Sequence, residues 1–395
     1  MKYYNIFYKL FKFGFRAVPL LVFFFSFGNY TSIDISLKND LEYSMKSAFR
    51  YLLSKQESNG SWQDHPAITG LVLSAFLRSN LPEEIKQSVA EKGFDFLKSC
   101  IKPDGSIYKD LYMNYSTSIA LRAFKDASDP SFDSIIINAE NFLFTLQFDE
   151  SKGYSEEDLS YGGVGYGDIK PDRRPDLSNL SLTLTGLYDK TVPELEKTMD
   201  NKTLKHLQKK KQFYKRVLVF LSRCQNLKSV NHEIYATNDG GFMYYPDYSK
   251  AGGTKSYGSM TYAGLLSMLY AYVDKNDPRV LAAVNWLSQN YSISENPGLG
   301  AQGLYYYYHT MAKALNSYSE DTLLDSEGNK HDWQTELASE LIRLKKPDGY
   351  WKNEIIDTWM EDNEILVTSY VLLAMEEILD EQIHQIPLVI DIIPK

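Results

Sequence analysis

Apolar residues recur at helical spacing along most of the chain, in segments of two alternating kinds. The first kind has one apolar face and ends in a polar turn with a glycine and an aromatic residue, as in QESNGSW from Gln56 to Trp62. The second kind is apolar nearly all round and rich in small residues, as from Ile68 to Leu77, which indicates a helix buried on more than one side. The pattern predicts helical hairpins that pair an outer helix with an inner one.

This unit occurs six times along the chain. The turn glycines are about one helical hairpin apart, the spacing expected of a repeat architecture; they are Gly60, Gly105, Gly153, Gly241, Gly300 and Gly349. An open solenoid requires polar capping repeats, whereas both ends of this repeat are as apolar as its middle. The sequence therefore predicts an all-α fold, an α/α toroid of six helical hairpins with an inner and an outer ring.

The repeat sets the domain boundaries. Residues 41–380 form the predicted toroid, residues 381–395 a C-terminal tail, and the charged run at about 190–212 an insertion that lies outside the barrel. In residues 1–30, four basic residues and no acid accompany the apolar run 17–28, which predicts a signal peptide or an N-terminal anchor. We therefore expect an exported protein, periplasmic or secreted, and an uncleaved anchor would associate it with a membrane.

Charge and cysteine content narrow the function classes. The formal net charge of −9, without a basic stripe, argues against nucleic acid as a partner. The chain has only two cysteines, Cys100 and Cys224, each near the end of a first helix, so a disulfide framework is not expected to stabilise it.

The repeated units resemble those of the terpene cyclase and protein prenyltransferase superfamily, as in squalene-hopene cyclases. The resemblance covers Leu41 to Leu379, and Gln56 to Trp62 is the best match to the cyclase motif. Ile101 and Lys345 replace the motif glutamine in the second and last units. The resemblance implies a central aromatic cavity and an apolar, isoprenoid-like substrate.

The residues that carry catalysis in that superfamily are missing from this chain. It contains no D-x-D-D motif, the acid with which such cyclases protonate an alkene. Neither Cys100 nor Cys224 has an Asp two residues before it, as the zinc site of a prenyltransferase requires. The sequence therefore predicts no metal site and no cofactor.

Polar and aromatic residues are concentrated just before the second helices. Because these helices run in the same direction around a toroid, the segments converge at one end, where a ligand would enter. Glycine-rich backbone with interspersed Tyr and Asp suits a close approach to that ligand. The candidate substrate-binding residues are Tyr161, Tyr166, Asp168, Arg174, Asp176, Tyr244, Tyr257, Gln302, Tyr305, Tyr306, Trp333 and Trp359.

Three residues are candidates for acid or base chemistry: Asp362, Glu361 and His309. The two neighbouring carboxyl groups would form a coupled acid pair or cap a helix start. His309 would be a pocket residue or a buried, hydrogen-bonded structural group. The same duality holds for Asp176, which could cap the third inner helix, and for Arg174, which could join an ion pair or bind an anionic group.

Three functions remain open at this stage. One is a terpene cyclase-like enzyme or binder for an isoprenoid or other apolar chain, with aromatic faces that stabilise a cation. The second is a carbohydrate-active lyase or hydrolase, since α/α toroids also host those activities. The third is a non-catalytic scaffold that binds a partner protein. A deep aromatic cavity would favour the first, a long polar cleft with Arg the second, and a filled axis the third.

Overall fold

A computed structural model of the chain describes residues 33–167, 174–189, 201–319 and 322–379. This part contains twelve α-helices, alternately outer and inner. In chain order they are α1 (Ile35–Ser54), α2 (Pro66–Arg78), α3 (Glu83–Ser99), α4 (Met113–Asp126), α5 (Asp133–Thr145), α6 (Leu177–Leu187), α7 (Asn201–Cys224), α8 (Gly258–Tyr270), α9 (Pro278–Gln289), α10 (Leu304–Tyr318), α11 (Trp333–Leu344) and α12 (Glu364–Leu379).

The even-numbered helices form a closed inner ring. Each packs against the next, from α2 through α4, α6, α8 and α10 to α12, and α12 contacts α2. The outer helix α1 contacts both α11 and α12, which joins the two ends of the described chain. The predicted α/α toroid is therefore confirmed.

Burial distinguishes the two rings as the sequence pattern predicts. Every residue of the inner helix α8 is buried, whereas the outer helix α3 buries one face through Val89, Phe94 and Leu97. Small residues bring inner helices close together. A Cβ at Gly186 of α6 would lie 2.6 Å from the carbonyl oxygen of Ser118 in α4, so only glycine fits this contact.

In five of the six units, the repeated turn packs against the next outer helix. Gly60 has a φ of +87°, and a Cβ there would overlap the backbone of Lys92 in α3. The amide of Gln56 donates to the carbonyl oxygens of Gly60 at 3.0 Å and of Val89 at 3.3 Å. Gln147 and Gln225 make the equivalent pair of hydrogen bonds in their units. The motif glutamine therefore joins neighbouring units.

The same geometry corrects three of the predicted turn glycines. In the third unit Gln147 donates to the carbonyl oxygen of Gly162, not Gly153, and in the fourth Gln225 donates to that of Gly240, not Gly241. Gly153 has open space where a Cβ would be, and so does Gly300, the turn glycine predicted for the fifth unit, which therefore makes no such contact with α11. A longer polar loop in the third unit places an additional glycine ahead of the structural one.

The charged run is not wholly an insertion. Residues 201–212 form the first half of the outer helix α7. Lys210 is buried there, and its ammonium donates to the carbonyl oxygen of Leu187 at 2.8 Å. Its burial is tolerated because buried acids and carbonyl groups compensate its charge. Residues 190–200 lie outside the described part of the chain, as do the predicted leader and tail.

Three further observations concern the described residues. A short antiparallel pair, β1 (Thr322–Leu324) and β2 (Lys330–Asp332), precedes α11 and was not anticipated from the sequence. Among the helices described, none combines the length and apolar character that crossing a bilayer requires. Cys100 and Cys224 are free thiols and fully buried.

Candidate functional site

A cluster of tyrosines lies at the N-terminal ends of the inner helices. The hydroxyl groups of Tyr166 and Tyr244 are 3.0 Å apart, and the ring of Tyr166 stacks on that of Tyr115 at a centroid distance of 5.9 Å. The hydroxyl of Tyr115 is 2.8 Å from the Oγ of Ser178, at the start of α6. Side chains from two loops and two inner helices therefore meet in one hydrogen-bonded group.

Asp176 lies next to this cluster, at the start of α6. It is buried and caps α6, since its carboxylate accepts from the backbone N–H of Asn179 at 2.9 Å and from its side-chain amide at 2.8 Å. Ser178 also donates to this carboxylate, at 2.6 Å. Burial, reinforced by the negative charge of Asp176, raises the pKa of Tyr166 to about 12. The phenol of Tyr166 therefore stays protonated at neutral pH and can donate to a ligand.

The outer edge of the cluster is a mouth that is open to solvent. The ammonium of Lys250 lies 4.1 Å from the ring centroid of Tyr244 and 4.4 Å from that of Trp359. Trp359 is 44% exposed and has a φ of +60°. Gly303 allows the indole to approach, because a Cβ there would lie 2.9 Å from the ring. Burial lowers the pKa of Lys250, and the two rings stabilise its charge.

A narrow cavity of about 40 Å³ follows the tyrosine cluster along the toroid axis. All six inner helices contribute to its wall. Tyr306 lines the end near the mouth, where the charge of Asp176 also contributes to its pKa, after the larger effect of burial. The end of the cavity at Tyr306 therefore lies near the tyrosine cluster.

Three polar atoms on the cavity wall lack a hydrogen-bond partner. They are the Oγ of Ser74 in α2, the Oδ2 of Asp126 in α4 and the Nδ1 of His309 in α10, each buried among the described residues. Buried polar groups are normally paired, so their convergence on one space indicates water or a polar ligand.

His309 is held as a neutral imidazole. Its ring stacks on that of Tyr370 at a centroid distance of 5.3 Å and an interplanar angle of 21°. Burial, with the nearby charge of Lys313, lowers the pKa of His309 to about 3. The imidazole can therefore accept or donate a hydrogen bond at neutral pH, but it is a weak base.

Charged side chains close the inner end of the cavity. Arg78 donates to Glu377 at 2.8 Å, and Arg122 binds Asp126 through its Nε at 2.9 Å. Burial would raise the pKa of Glu377, but the charges of Arg78 and Lys313 lower it to about 2. These paired charges separate the axial cavity from an open cavity of about 800 Å³ at the C-terminal ends of the inner helices.

The structure brings several predicted site residues together at the mouth and axis. Tyr257 is buried close enough to Tyr306 and Asp176 for their charges to contribute to its raised pKa, after burial. The predicted residues that meet in this region are Tyr166, Asp176, Tyr244, Tyr257, Tyr306, His309 and Trp359.

Other predicted residues contact the outer layer. The hydroxyl of Tyr161 donates to Glu150 at 2.6 Å, and Tyr305 packs edge-on against Tyr308 at a centroid distance of 5.9 Å. Trp333 begins α11 and is 1% exposed in the hydrophobic core. For Tyr305 and Trp333 the helix periodicity explains these positions, because it directs only part of each helix towards the axis.

The remaining substrate-binding candidates are Arg174, Gln302 and Asp168. Arg174 is exposed, with its guanidinium 5.3 Å from the ring centroid of Tyr245. Gln302 is half-buried, and its backbone carbonyl accepts from Asn296 at 3.0 Å. Asp168 lies outside the described residues.

The two neighbouring acids, Glu361 and Asp362, have different environments. Glu361 is buried, and its carboxylate accepts from the backbone N–H of Tyr306 at 2.9 Å and from the amide of Asn353 at 3.0 Å. Asp362 is exposed. The carboxylate of Glu361 therefore caps α10, while Asn363 caps α12 through its Oδ1.

Several residues of the site were not found from the sequence. Tyr115 and Ser74 lie inside helices whose apolar character hides their orientation, and Lys250 lies in a loop with no local signal. Lys313 could have been found, because it follows His309 by four residues and therefore shares its helix face. Among the described residues, no cluster of three side chains could hold a metal ion.

Comparison with solved structures identifies the same toroid in other proteins. A variant of the type II terpene cyclase MstE from Scytonema, bound to its substrate geranylgeranyl dihydroxybenzoate, is similar over 87% of this chain and 98% of its own, at 14% identity and a TM-score of 0.51. A possible member of the GH105 family from Salmonella enterica is similar over 86% of this chain and 93% of its own, at 9% identity and a TM-score of 0.53.

At these identities the similarity shows the fold, and it agrees with the terpene cyclase-like toroid expected from the repeats. No protein-family model matches the sequence, and no curated protein matches it. One of these structural neighbours is named a terpene cyclase and the other a possible member of the GH105 family, so any reaction has to be inferred from the site.

Proposed function

We propose that this toroid protein binds a small hydroxylated molecule of the carbohydrate type, whose polar end enters the axial cavity from the tyrosine-lined mouth. The observation that carries the proposal is the convergence of unpartnered atoms of Ser74, Asp126 and His309 on that cavity. Each is buried on a different inner helix, so a shared polar ligand, or water that it displaces, would satisfy all three.

Size and polarity argue against a long isoprenoid in this cavity. Ligand pockets usually occupy roughly 300–1,000 Å³, and the axial cavity has about 40 Å³. An apolar chain would also leave Ser, His and Lys side chains without water, at a cost of about 1–3 kcal/mol for each unpaired polar group. The similarity to a cyclase with a geranylgeranyl substrate supports an isoprenoid only through the shared fold.

The mouth supplies groups suited to a sugar-like ligand. Trp359, Tyr248 and Tyr112 are each at least 42% exposed, and such rings stack on the apolar faces of carbohydrates. The phenols of Tyr166 and Tyr306, both protonated at neutral pH, would donate to hydroxyl groups. His309, as a neutral imidazole, would accept a hydrogen bond or a proton from the end of the ligand that reaches the axis.

A purely structural scaffold would have a filled and satisfied axis. Most of this axis is filled, which fits that alternative, but the unpartnered atoms around the remaining space do not. The small-ligand function therefore accounts for more of the geometry.

Ligand binding with a cavity-filling variant tests the proposal. Ser181 lines the cavity, so Ser181→Leu should fill it, while Ser339→Leu on the exposed face of α11 is the matched control. We expect short sugars and sugar acids, titrated calorimetrically, to bind the wild type and Ser339→Leu but not Ser181→Leu, with circular dichroism confirming the fold. Binding of geranylgeraniol alone, or equal sugar binding by Ser181→Leu, would refute the proposal.

We further propose that residues 1–30 direct export, on the basis of their basic start and apolar run. Expression of the full chain followed by fractionation and N-terminal mass analysis tests this. A chain shortened by about 28 residues outside the cytoplasm would support a cleaved leader, and an intact chain in the membrane fraction would support an anchor. An intact, soluble cytoplasmic chain would contradict export.

A further inference from the structure

The amine of Lys313 lies in the axial cavity without an acidic partner. Lys313 is 8% exposed and lines the cavity from α10. The two arginines on the same wall are paired, Arg78 with Glu377 and Arg122 with Asp126. Within the described part of the chain, Lys313 makes no comparable ion pair or hydrogen bond, and its Nζ lies 5.9 Å from the ring centroid of Tyr270.

An ammonium buried without a counter-ion costs more free energy than a buried neutral amine. Burial lowers the pKa of Lys313 to about 8; the charge of Glu377 opposes this, and those of Arg78 and Arg122 reinforce it. Roughly a tenth of the amine is then neutral at pH 7, about two orders of magnitude more than for an ordinary lysine. Neutral amine is the nucleophilic form.

A hydrogen-bonding group lies one helical turn away. His309 precedes Lys313 by four residues on α10, and both line the cavity. The neutral imidazole of His309 has an unpartnered Nδ1. Its Nδ1 can therefore accept a hydrogen bond from the attacking amine and orient it.

We propose that Lys313 is a nucleophile that captures a short hydroxyaldehyde as a Schiff base. The neutral Nζ adds to the carbonyl carbon, the carbonyl oxygen takes a proton to give a carbinolamine, and loss of water leaves a C=N bond. The amine thus gives up two hydrogens and the aldehyde its oxygen, as one water molecule. The inference rests on the proposed function, because the aldehyde must reach the same axial cavity.

The cavity limits the size of the captured group. On the scale by which a water molecule needs about 10–15 Å³, a space of about 40 Å³ holds only a few heavy atoms. A two-carbon or three-carbon aldehyde fits that limit. The hydroxyl groups of a sugar-derived aldehyde would pair with Ser74 and Thr310, which also line the wall.

Reductive trapping tests the inference on the full chain. Glycolaldehyde and cyanoborohydride are added to the wild type, and peptide mass spectrometry measures modification of each lysine against pH. We expect Lys313 to be modified at least ten times faster than the exposed Lys255 at pH 7, with a midpoint near pH 8. The variant Lys313→Met should form no adduct in this peptide, and His309→Gln should slow the reaction.

The outcomes separate this inference from the proposed function. Modification of Lys313 no faster than of Lys255 would overturn the nucleophile, and because this comparison is internal to the wild type it does not depend on a folded variant. If short sugars still bind in that case, the proposed function stands. If the Ser181→Leu variant forms the Lys313 adduct as fast as the wild type, the axial cavity is not the route and both proposals fail.

Discussion

The carboxylate of Glu361 accepts a hydrogen bond of 2.9 Å from the backbone N–H of Tyr306, so the loop before α12 caps the start of α10. The N–H groups of Leu304 and Tyr305 point to the same carboxylate. A helix N-terminus carries unpaired donors and a partial positive charge, both of which favour an acceptor there. The contact therefore links two neighbouring inner helices at the end of the toroid where the mouth lies.

Replacing Glu361 should reveal this role through stability. We expect Glu361→Ala to lower the free energy of unfolding by about 1–3 kcal/mol, because it leaves the start of α10 and Asn353 unpaired. Glu361→Gln, which keeps an acceptor, should cost less. Urea denaturation measures both; equal losses would show that the acceptor is not what matters.

Glu361 also gives a pH dependence of defined sign. Burial raises its pKa above the ordinary 4.5 in the folded protein. The folded state then binds the proton more tightly than the unfolded state, so stability from this group falls as pH rises through that window. The stability of the wild type relative to Glu361→Gln should therefore decrease from pH 4 upward and become constant above the raised pKa. An increase over this range would contradict the assignment.

The turn glycines should differ in their tolerance of a side chain. In Gly349→Ala the new Cβ would lie 2.8 Å from the carbonyl oxygen of Ser47, at a φ of +87°. We expect a loss of about 2 kcal/mol or more, from both the left-handed backbone and the displaced contact. Gly153→Ala is the matched control, with a φ of +83° and open space, and should lose about 1 kcal/mol. Thermal unfolding compares them, and equal losses would remove the contact as a cause.

Two buried serines differ in whether the hydroxyl has a hydrogen-bond partner, and this difference can be tested. Without ligand, Ser74→Ala should change stability by less than about 0.5 kcal/mol or increase it, since its hydroxyl has no partner. Ser118→Ala should cost about 1 kcal/mol, because its hydroxyl donates to Asn114 at 2.8 Å. Chemical denaturation of both variants decides; a larger loss at Ser74 would mean that ordered water already satisfies it.

The buried acid Glu140 anchors the outer ring. Its carboxylate binds Lys125 at 2.6 Å and His206 at 2.6 Å. Burial alone would raise the pKa of Glu140, but Lys210 and Lys125 lower it well below its usual range. Stability from this group is therefore present above the unfolded pKa near 4.5 and lost as pH falls.

We expect Glu140→Gln to cost about 3–5 kcal/mol at pH 7, because it leaves buried cations uncompensated. The difference from the wild type should shrink as the pH is lowered from 5 to 3. Asp95→Asn, which breaks an exposed pair with Lys98, is the control and should change stability by less than about 1 kcal/mol. Denaturation across this pH range checks both, and a difference independent of pH would refute the buried-pair explanation.

The fold was predictable because its signals are repeated. Gln56, Gln147 and Gln225 each appear with a turn glycine and an apolar helix, so six weak patterns reinforce one another. The site has no such redundancy. Whether Tyr305 or Tyr306 faces the axis depends on one helical rotation of about 100°, and that Glu361 caps α10 rather than its own helix depends on contacts between units.

The contact between Gly349 and Ser47 has a consequence for chain order. The last turn packs on the first outer helix as the turns at Gly60, Gly105, Gly162 and Gly240 pack on theirs, so the last unit joins the first by the same contact that joins units within the chain. A circular permutant that joins the chain ends by a flexible linker and opens the exposed loop at Gly252 should assemble the same ring.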